Sequence, residues 1–195
     1  SGFREILRSR AWRRFLLLVL VTASGGAVIN HFLFIYLNEI GASGTLRGLA
    51  LTVSTVSELV VFGLAERILR RVRAHTLLYV SMAAVALRLL LYAVIRDPVL
   101  ALIPQMLHGV TFSLRLVAGV AIARSLAPEG MGATAQALFN STNMGASGIV
   151  GALLGGLVYR YLPVSGVLLA AGATEAFFLV VFVIAALFLR SGHRR

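Results

Sequence analysis

Six long apolar runs divide the chain, and they constrain its fold more than any other feature of the sequence. They lie at about residues 15–37, 46–65, 76–95, 99–123, 135–159 and 167–189. A helix needs about 20 apolar residues to cross the roughly 30 Å hydrocarbon core of a bilayer. Because lipid offers the backbone no hydrogen-bond partner, such segments span membranes as α-helices. The sequence therefore predicts an all-α membrane protein, a bundle of six transmembrane helices.

Short breaks separate the runs, and each of the breaks at residues 41–44, 96–98, 128–130 and 163–166 contains glycine or proline. We divide the chain into a lead-in over residues 1–14, a transmembrane domain over residues 15–189 and a tail over residues 190–195. The lead-in is rich in Arg and carries Trp12. It fits either an amphipathic helix on the inner membrane surface, with Trp12 at the interface, or a disordered segment.

Composition excludes several other classes of protein. Hydrophobic residues make up 59% of the chain and charged residues only 13%, whereas soluble domains carry about 25% charged residues. There is no cysteine, so the sequence offers no disulfide framework, and we expect no metal and no cofactor. The net charge of +11 lies in short stretches between apolar runs, which argues against nucleic acid as a partner. The first run is also too long for a cleavable signal peptide.

The distribution of arginine predicts the orientation. One side of the predicted bundle carries thirteen Arg: Arg4, Arg8, Arg10, Arg13, Arg14, Arg67, Arg70, Arg71, Arg73, Arg124, Arg190, Arg194 and Arg195. The other side carries three: Arg47, Arg96 and Arg160. Basic residues accumulate on the cytoplasmic side of membrane proteins. We therefore expect both termini in the cytoplasm, and a multi-pass protein of a bacterial plasma membrane.

Five ionisable residues lie inside the apolar runs away from their ends, at membrane depth: Glu58, Arg88, His108, Arg115 and Glu175. A charge at the bilayer centre costs at least about 2.5–3.5 kcal/mol, so such residues usually face a protein interior or a wet cavity. Helical spacing places Thr55 on the face of Glu58, and Gln105 and Thr111 beside His108 and Arg115. A separate polar stripe in the fifth run consists of Gln136, Asn140, Asn143 and Ser147, and the first run carries Asn30 and His31. A structural reading stays open for three features: packing for His31, interhelical hydrogen bonds for the fifth-run stripe, and charge pairing for Glu175.

A second pattern in the fifth run consists of small residues at helical spacing. It includes Gly148, Gly151, Gly155 and Gly156. Small residues at such spacings let membrane helices approach closely. We expect these glycines to form a helix-packing surface.

Several short motifs, in their order and spacing, resemble a known family. They are Phe34, Tyr36 and Leu37 followed by Gly41 and Gly48; Ser57, Glu58 and Leu59; Leu87 and Arg88; residues 105–109 with Phe112; residues 127–129 and 134–136; and Gly151, Gly155, Gly156 and Tyr159. From about residue 10 to residue 189 the chain resembles the C-terminal six helices of a major facilitator superfamily transporter. The nearest branch contains lactose permease and the nucleoside:proton symporters.

This resemblance implies roles for individual residues. Glu58, Arg88 and His108 match positions that line the cavity of lactose permease and serve sugar binding and proton coupling. That permease has a second carboxylate one turn after the histidine, where this chain has Thr111. Coupling would then use Glu58, His108 or Glu175. Residues 63–71 resemble a degenerate copy of the superfamily's cytoplasmic gating loop, with the charged positions Glu66, Arg67, Arg70 and Arg71; a plain positive-inside loop is the alternative.

The function that the resemblance implies is half of a secondary active transporter working by alternating access, with proton-coupled symport of a small polar solute such as a sugar or nucleoside. Arg88 or Arg115 would hold the substrate and Glu58 would accept a hydrogen bond or a proton. Neutral hydrogen bonds would come from Asn30, Gln105, Gln136 and Asn140. The partners would be the lipid bilayer, the solute and another six-helix half, in the same gene, in a separate chain or in a homodimer. The first residues, Ser1 and Gly2, favour an excised fragment.

Two other functions are alternatives. A non-transporting membrane scaffold or assembly domain would explain the helices and the small-residue packing, but it would leave the buried charges without a purpose. A rhomboid-like intramembrane serine protease would use Ser147 in the motif formed by residues 145–148. A hydroxyl nucleophile needs an adjacent base, and the only histidine after Ser147 is His193 in the tail. We therefore expect no enzymatic activity.

Overall fold

The computed structural model describes residue 6 and residues 8–192. For residues 189–192 it describes the backbone only. Its six long helices are α1 (Arg10–Glu39), α2 (Gly44–Arg71), α3 (Ala74–Val94), α4 (Leu100–Leu126), α5 (Gly132–Tyr159) and α6 (Val164–Gly192). Each contains a window long and apolar enough to cross a membrane. The predicted all-α bundle of six transmembrane helices is confirmed.

Most helices are longer than the apolar runs that predicted them. Their terminal turns carry polar residues, so these turns lie outside the apolar runs of the sequence. The clearest case is α1, which begins at Arg10 with Ser9 as its N-cap. Trp12 is buried in its first turn, and the indole Nε1 donates to the Leu126 carbonyl at 2.9 Å. Residues 1–5 and 7 of the predicted lead-in lie outside the described residues.

Two glycines in the left-handed region end the turns that follow α1 and α4. Gly41 has φ of 77° and Gly130 has φ of 73°, a conformation that costs glycine little and other residues much more. Both lie in breaks that the sequence predicts. The connection between α2 and α3 is shorter still and contains only Val72 and Arg73.

The helices differ in how many neighbours they have. α3 packs against both α4 and α6, α2 packs mainly against α4, and α1 packs against α5 and α6. As a result α3 is mostly buried, whereas most of α2 and α5 is exposed within the bundle.

Two hydrophobic clusters occupy the two ends of the bundle. One includes Tyr36, Leu37 and Tyr92, and the other includes Trp12 and Phe139. Along α1, α4 and α6 the two clusters are separated by a gap, and glycine, polar and charged residues fill it. The interior therefore has a polar layer between two apolar ends, and this layer holds the candidate site.

Candidate functional site

Arg88 of α3 is the centre of the polar layer. Its side chain is only 3% exposed. The guanidinium donates from Nε to the Pro104 carbonyl at 2.8 Å, from Nη2 to Gln105 Oε1 at 2.6 Å and from Nη1 to Thr111 Oγ1 at 3.1 Å. These three partners all belong to the first half of α4. Hydrogen bonds to a charged donor are stronger than neutral ones, so the guanidinium is firmly positioned.

The start of α4 explains why a backbone carbonyl is available to Arg88. Residues Leu100–Leu102 and Pro104–Leu107 form two 3-10 turns, and regular α-helix begins only at His108. The His108 amide donates to the Gln105 carbonyl instead of the Pro104 carbonyl. The tighter winding thus spares the Pro104 carbonyl the α-helical bond from His108, and this carbonyl accepts from the guanidinium.

His108 joins Arg88 to a carboxylate on α2. Nη1 of Arg88 lies 3.1 Å from His108 Nδ1, and His108 Nε2 lies 3.5 Å from Glu58 Oε2. Because a guanidinium can only donate, Nδ1 accepts, and the hydrogen of a neutral ring is then on Nε2, facing Glu58. The ring also stacks on Phe112, with planes 4° apart. The Glu58 side chain is 28% exposed, so the network runs from the protein interior to its surface.

A close contact between α2 and α4 brings Glu58 to His108. The Gly109 amide donates to Ser57 Oγ at 2.7 Å, and Ser113 Oγ donates to the Glu58 carbonyl at 3.3 Å. A Cβ atom at Gly109 would overlap the Ser57 carbonyl. Glycine is therefore required at residue 109 for the two helices to lie this close.

Arg115 and Glu175 form a second buried cluster. Arg115 is 5% exposed and donates from Nε to Asn143 Oδ1 at 2.8 Å and from Nη1 to the Thr111 carbonyl at 3.3 Å. Glu175 of α6 is 2% exposed and interacts electrostatically with Arg115, although no ion pair within 4.0 Å is formed between them. The hydrogen bonds of the described side chains therefore leave Glu175 outside the network of Glu58, His108 and Arg88.

Two adjacent glycines of α1 make room for this cluster. A Cβ atom at Gly25 would lie 2.8 Å from Glu175 Oε2, and one at Gly26 would lie 3.1 Å from Arg115 Nη1. Side chains at these two positions would push the charged groups away. Gly25 and Gly26 thus form a recess for two ionisable groups from other helices.

A π-helical turn divides the polar stripe predicted on α5. The turn covers Ser141–Ala146 and shifts the helical register. Asn140, directly before the turn, is exposed, whereas Asn143 within the turn and Ser147 directly after it are each 2% exposed. Gln136 Nε2 donates to the Val120 carbonyl at 3.0 Å. The predicted polar stripe is therefore divided into two groups of side chains. One group faces outwards and the other lies on the side of α5 that faces Arg115.

Ser147 does not have the surroundings of a nucleophile. Its hydroxyl donates to the Asn143 carbonyl of its own helix at 2.7 Å. Serine hydroxyls commonly bond to the carbonyl four residues earlier in membrane helices. This geometry gives no support to the protease alternative.

The remaining sequence-predicted residues lie apart from both clusters. Asn30 and His31 are exposed on α1. Glu66, Arg67, Arg70 and Arg71 are part of the last turns of α2, not of a loop, and Arg70 Nη2 lies 3.2 Å from Glu66 Oε1 in an exposed pair. Of the four α5 glycines predicted to form a packing surface, Gly151 and Gly155 contact Ala27 and Phe32 of α1 closely, while a Cβ atom at Gly148 or Gly156 would have no neighbour within 4 Å among the described residues.

Sequence reasoning missed several participants. Tyr92, one turn after Arg88, places its ring centroid 5.9 Å from the Arg88 guanidinium carbon. Its spacing from Arg88 was a usable signal, because residues four apart share a helix face. The paired glycines at 25 and 26 in an apolar run were a second signal. The Pro104 carbonyl could not be foreseen, since it depends on the winding of α4.

Comparison with known proteins identifies the family. Residues 1–167 match the MFS_1 like family. The chain is 28% identical over 190 residues to a maltose permease of Geobacillus stearothermophilus and 20% identical over 172 residues to an uncharacterized transporter, YwbF, of Bacillus subtilis (strain 168). These alignments cover 95% and 88% of this chain but only 45% and 43% of the two relatives. The chain thus spans less than half the length of these relatives, and it belongs to the MFS_1 like family of membrane transport proteins.

Proposed function

We propose that this chain is one half of a secondary active transporter that works by alternating access, with Glu58, His108 and Arg88 on the wall of the substrate cavity. In transporters of this design two bundles rock around a site near the bilayer midplane. The protein would lie in a bacterial plasma membrane with both termini in the cytoplasm, as the distribution of arginine favours.

One observation carries the proposal: a buried guanidinium is connected, through one imidazole, to a carboxylate that is partly exposed on α2. Glu58 to His108 is 3.5 Å and His108 to Arg88 is 3.1 Å. Charges at membrane depth are costly, and they persist where they face a cavity or a protein partner. A purely structural pair would be closed off on all sides, whereas this network reaches a surface.

The chemistry of the site favours a small polar solute such as a sugar or nucleoside. Gln105 Nε2 and Tyr92 Oη, both beside Arg88, are buried atoms without a hydrogen-bond partner within the described structure. They can bind solute hydroxyl groups after a modest movement. Further polar groups for the solute would come from Asn30, Gln136, Asn140 and Arg115. The name of one relative, maltose permease, is consistent with a sugar.

We further propose that the coupled ion is a proton that Glu58 takes up from water on its exposed side. A protonated Glu58 can still accept a hydrogen bond from His108 Nε2, so His108 stays neutral and the Arg88 hydrogen bonds remain in place. Thr111 already accepts from Arg88, so it has no part in carrying the proton. Glu175 is a second candidate because it is buried and ionisable.

The opposing wall of the cavity would come from another six-helix half. Most of α2 and α5 is exposed, and their surfaces mix apolar residues with Thr55, Asn140 and Ser141. A second bundle, from the same gene, a separate chain or a second copy of this one, would cover the faces of both helices that carry these polar residues. The basic end of α2, with Glu66, Arg67, Arg70 and Arg71, would lie at the cytoplasmic gate.

Uptake in proteoliposomes tests the proposal. A panel of radiolabelled mono- and disaccharides and nucleosides is offered to the protein with its partner half, with and without an inward proton gradient. We expect Glu58→Gln and Arg88→Gln to abolish uptake, and His108→Asn to weaken it about tenfold. Glu39→Gln and Arg96→Gln, two exposed residues outside the network, are the matched controls.

The result separates transport from a scaffold role. Variants that elute as monodisperse particles but no longer take up solute support the proposal. Full uptake by all three network variants would show that these residues only pack. A protein that transports nothing, and whose network variants fail to assemble, would favour the scaffold.

A further inference from the structure

A cavity of about 370 Å³ lies between α1, α5 and α6. None of these helices carries Glu58, His108 or Arg88. The volume is within the range of about 300–1,000 Å³ that is usual for small-molecule sites. Apolar side chains and glycines line the cavity, except for Ser24, Thr174 and Glu175.

Of these three polar residues, only Glu175 has a buried oxygen without a hydrogen-bond partner among the described residues, whereas the two hydroxyls already donate within their own helices. Ser24 Oγ donates to the Leu20 carbonyl at 2.7 Å, and Thr174 Oγ1 donates to the Ala170 carbonyl at 2.8 Å. Both hydroxyl hydrogens are thus used within their own helices. Glu175 is 2% exposed, and its Oε1 has no hydrogen-bond partner in the part of the chain that the structure describes.

The neighbours of Glu175 leave this oxygen available. Arg115 Nε and Nη1 are bonded to Asn143 and to the Thr111 carbonyl. The other polar neighbour, the Thr22 hydroxyl, lies 2.9 Å from the Leu18 carbonyl, to which it donates. A buried carboxyl oxygen without a donor is energetically unfavourable. A ligand that brings a donor into the cavity would remove this cost.

The mouth of the cavity is apolar. Leu154 and Leu157 of α5 line it and are more than half exposed, at 59% and 52%. The lining from α6 adds Phe178. In a membrane such a mouth favours entry of a hydrophobic molecule from the hydrocarbon phase.

We propose that this cavity is a binding site for a hydrophobic amine, whose apolar body fills the space between α1, α5 and α6 and whose ammonium group donates to Glu175 Oε1. The site lies apart from the network of Glu58, His108 and Arg88, and its test does not depend on transport. Charge decides the ligand class, because Glu175 is the one ionisable residue among the described residues that line the cavity. A purely apolar molecule, such as a lipid chain, would leave the carboxyl oxygen unpaired.

Binding of two probes of nearly the same shape tests the proposal. The intact protein is reconstituted in lipid nanodiscs, and binding of aminoadamantane and of methyladamantane is measured by ligand-detected NMR against empty nanodiscs. We expect saturable binding of the amine and at least about tenfold weaker binding of the hydrocarbon, because a charge-assisted hydrogen bond is lost. Glu175→Gln should weaken amine binding by a similar factor.

Two further variants keep the test decisive if Glu175→Gln does not fold. Ala170→Leu fills the cavity, because Ala170 lines it, and should abolish amine binding. Ala173→Leu adds the same side chain at an exposed position of α6 outside the lining and should leave binding unchanged. Equal binding of both probes, absence of amine binding, or amine binding that persists in Ala170→Leu would each overturn the proposal.

Discussion

Arg88 and Arg115 are buried guanidinium groups on two helices that pack together, and their surroundings differ in one respect. The partners of Arg88 lead through His108 to Glu58, whose side chain is partly exposed. The partners of Arg115 are Asn143, the Thr111 backbone and Glu175, and all of them are buried. Burial alone therefore does not identify a binding residue. The difference lies in whether the hydrogen-bonded partners reach a surface that a solute can approach.

Thr111 connects the two clusters. Its hydroxyl accepts from Arg88, and its carbonyl accepts from Arg115 and, at 2.7 Å, from Ser81. Movement of α4 would therefore act on both guanidinium groups at once. We interpret the Arg88 cluster as the side of α4 that meets solute and the Arg115 cluster as the side that holds α1, α5 and α6 together.

The largest effect is expected from breaking the second cluster. Arg115→Gln removes the positive charge that interacts with the buried Glu175, and a buried charged group left without such a partner costs about 3 kcal/mol or more. We expect a strong loss of thermal stability in detergent. The double variant Arg115→Gln/Glu175→Gln should recover most of it, since neither charge remains. If the double variant is no more stable than the single one, the two residues do not act as a pair.

A smaller effect is expected where α2 meets α4. Gly109→Ala would force its Cβ atom against the Ser57 carbonyl, and overpacking of this kind costs about 1–3 kcal/mol. It should also move Glu58 away from His108, so that uptake falls along with thermal stability.

The matched control for this variant is Gly48→Ala on α2, where a Cβ atom would have no neighbour within 4 Å. Alanine should be tolerated there, or stabilise slightly through its helix propensity. Equal unfolding temperatures for the two variants would show that the contact between α2 and α4 is looser than the structure indicates.

The smallest effect is expected at the exposed pair of Glu66 and Arg70. Both side chains are more than 70% exposed, and exposed ion pairs contribute about 0.2–1 kcal/mol at most. Glu66→Gln should leave thermal stability almost unchanged in physiological salt. A loss comparable to that of Arg115→Gln would mean that this end of α2 is covered by another part of the protein.

The fold could be predicted from the sequence because the bilayer imposes strong rules. Span length, backbone satisfaction and the glycine turns at 41 and 130 led to six helices in the correct order. The individual charged residues were also visible, since Glu58, Arg88 and His108 stand out in apolar runs. The separation of Arg115 and Glu175 into a second cluster was not predictable, because it depends on which helix faces pack together.

Two local departures from the regular α-helix limited the prediction of the site. The 3-10 turns at the start of α4 expose the Pro104 carbonyl to Arg88, and the π-turn in α5 turns Asn143 inwards while Asn140 stays exposed. A helical stripe drawn at 3.6 residues per turn assumes regular winding. Where the winding of a helix changes, residues that the regular spacing assigns to one helix face lie on two different faces.

The central claim is that the exposed polar face of α2 borders an aqueous cavity, while the cavity between α1, α5 and α6 opens to lipid. Labelling of two single-cysteine variants tests it. The chain has no native cysteine, so Thr55→Cys and Thr174→Cys each report one position. Thr55 is exposed three residues before Glu58, and Thr174 is exposed beside Glu175 in the cavity between α1, α5 and α6. We expect a charged, membrane-impermeant thiosulfonate reagent to modify Thr55→Cys rapidly in reconstituted protein and Thr174→Cys hardly at all. Equal rates, or faster modification of Thr174→Cys, would contradict the account.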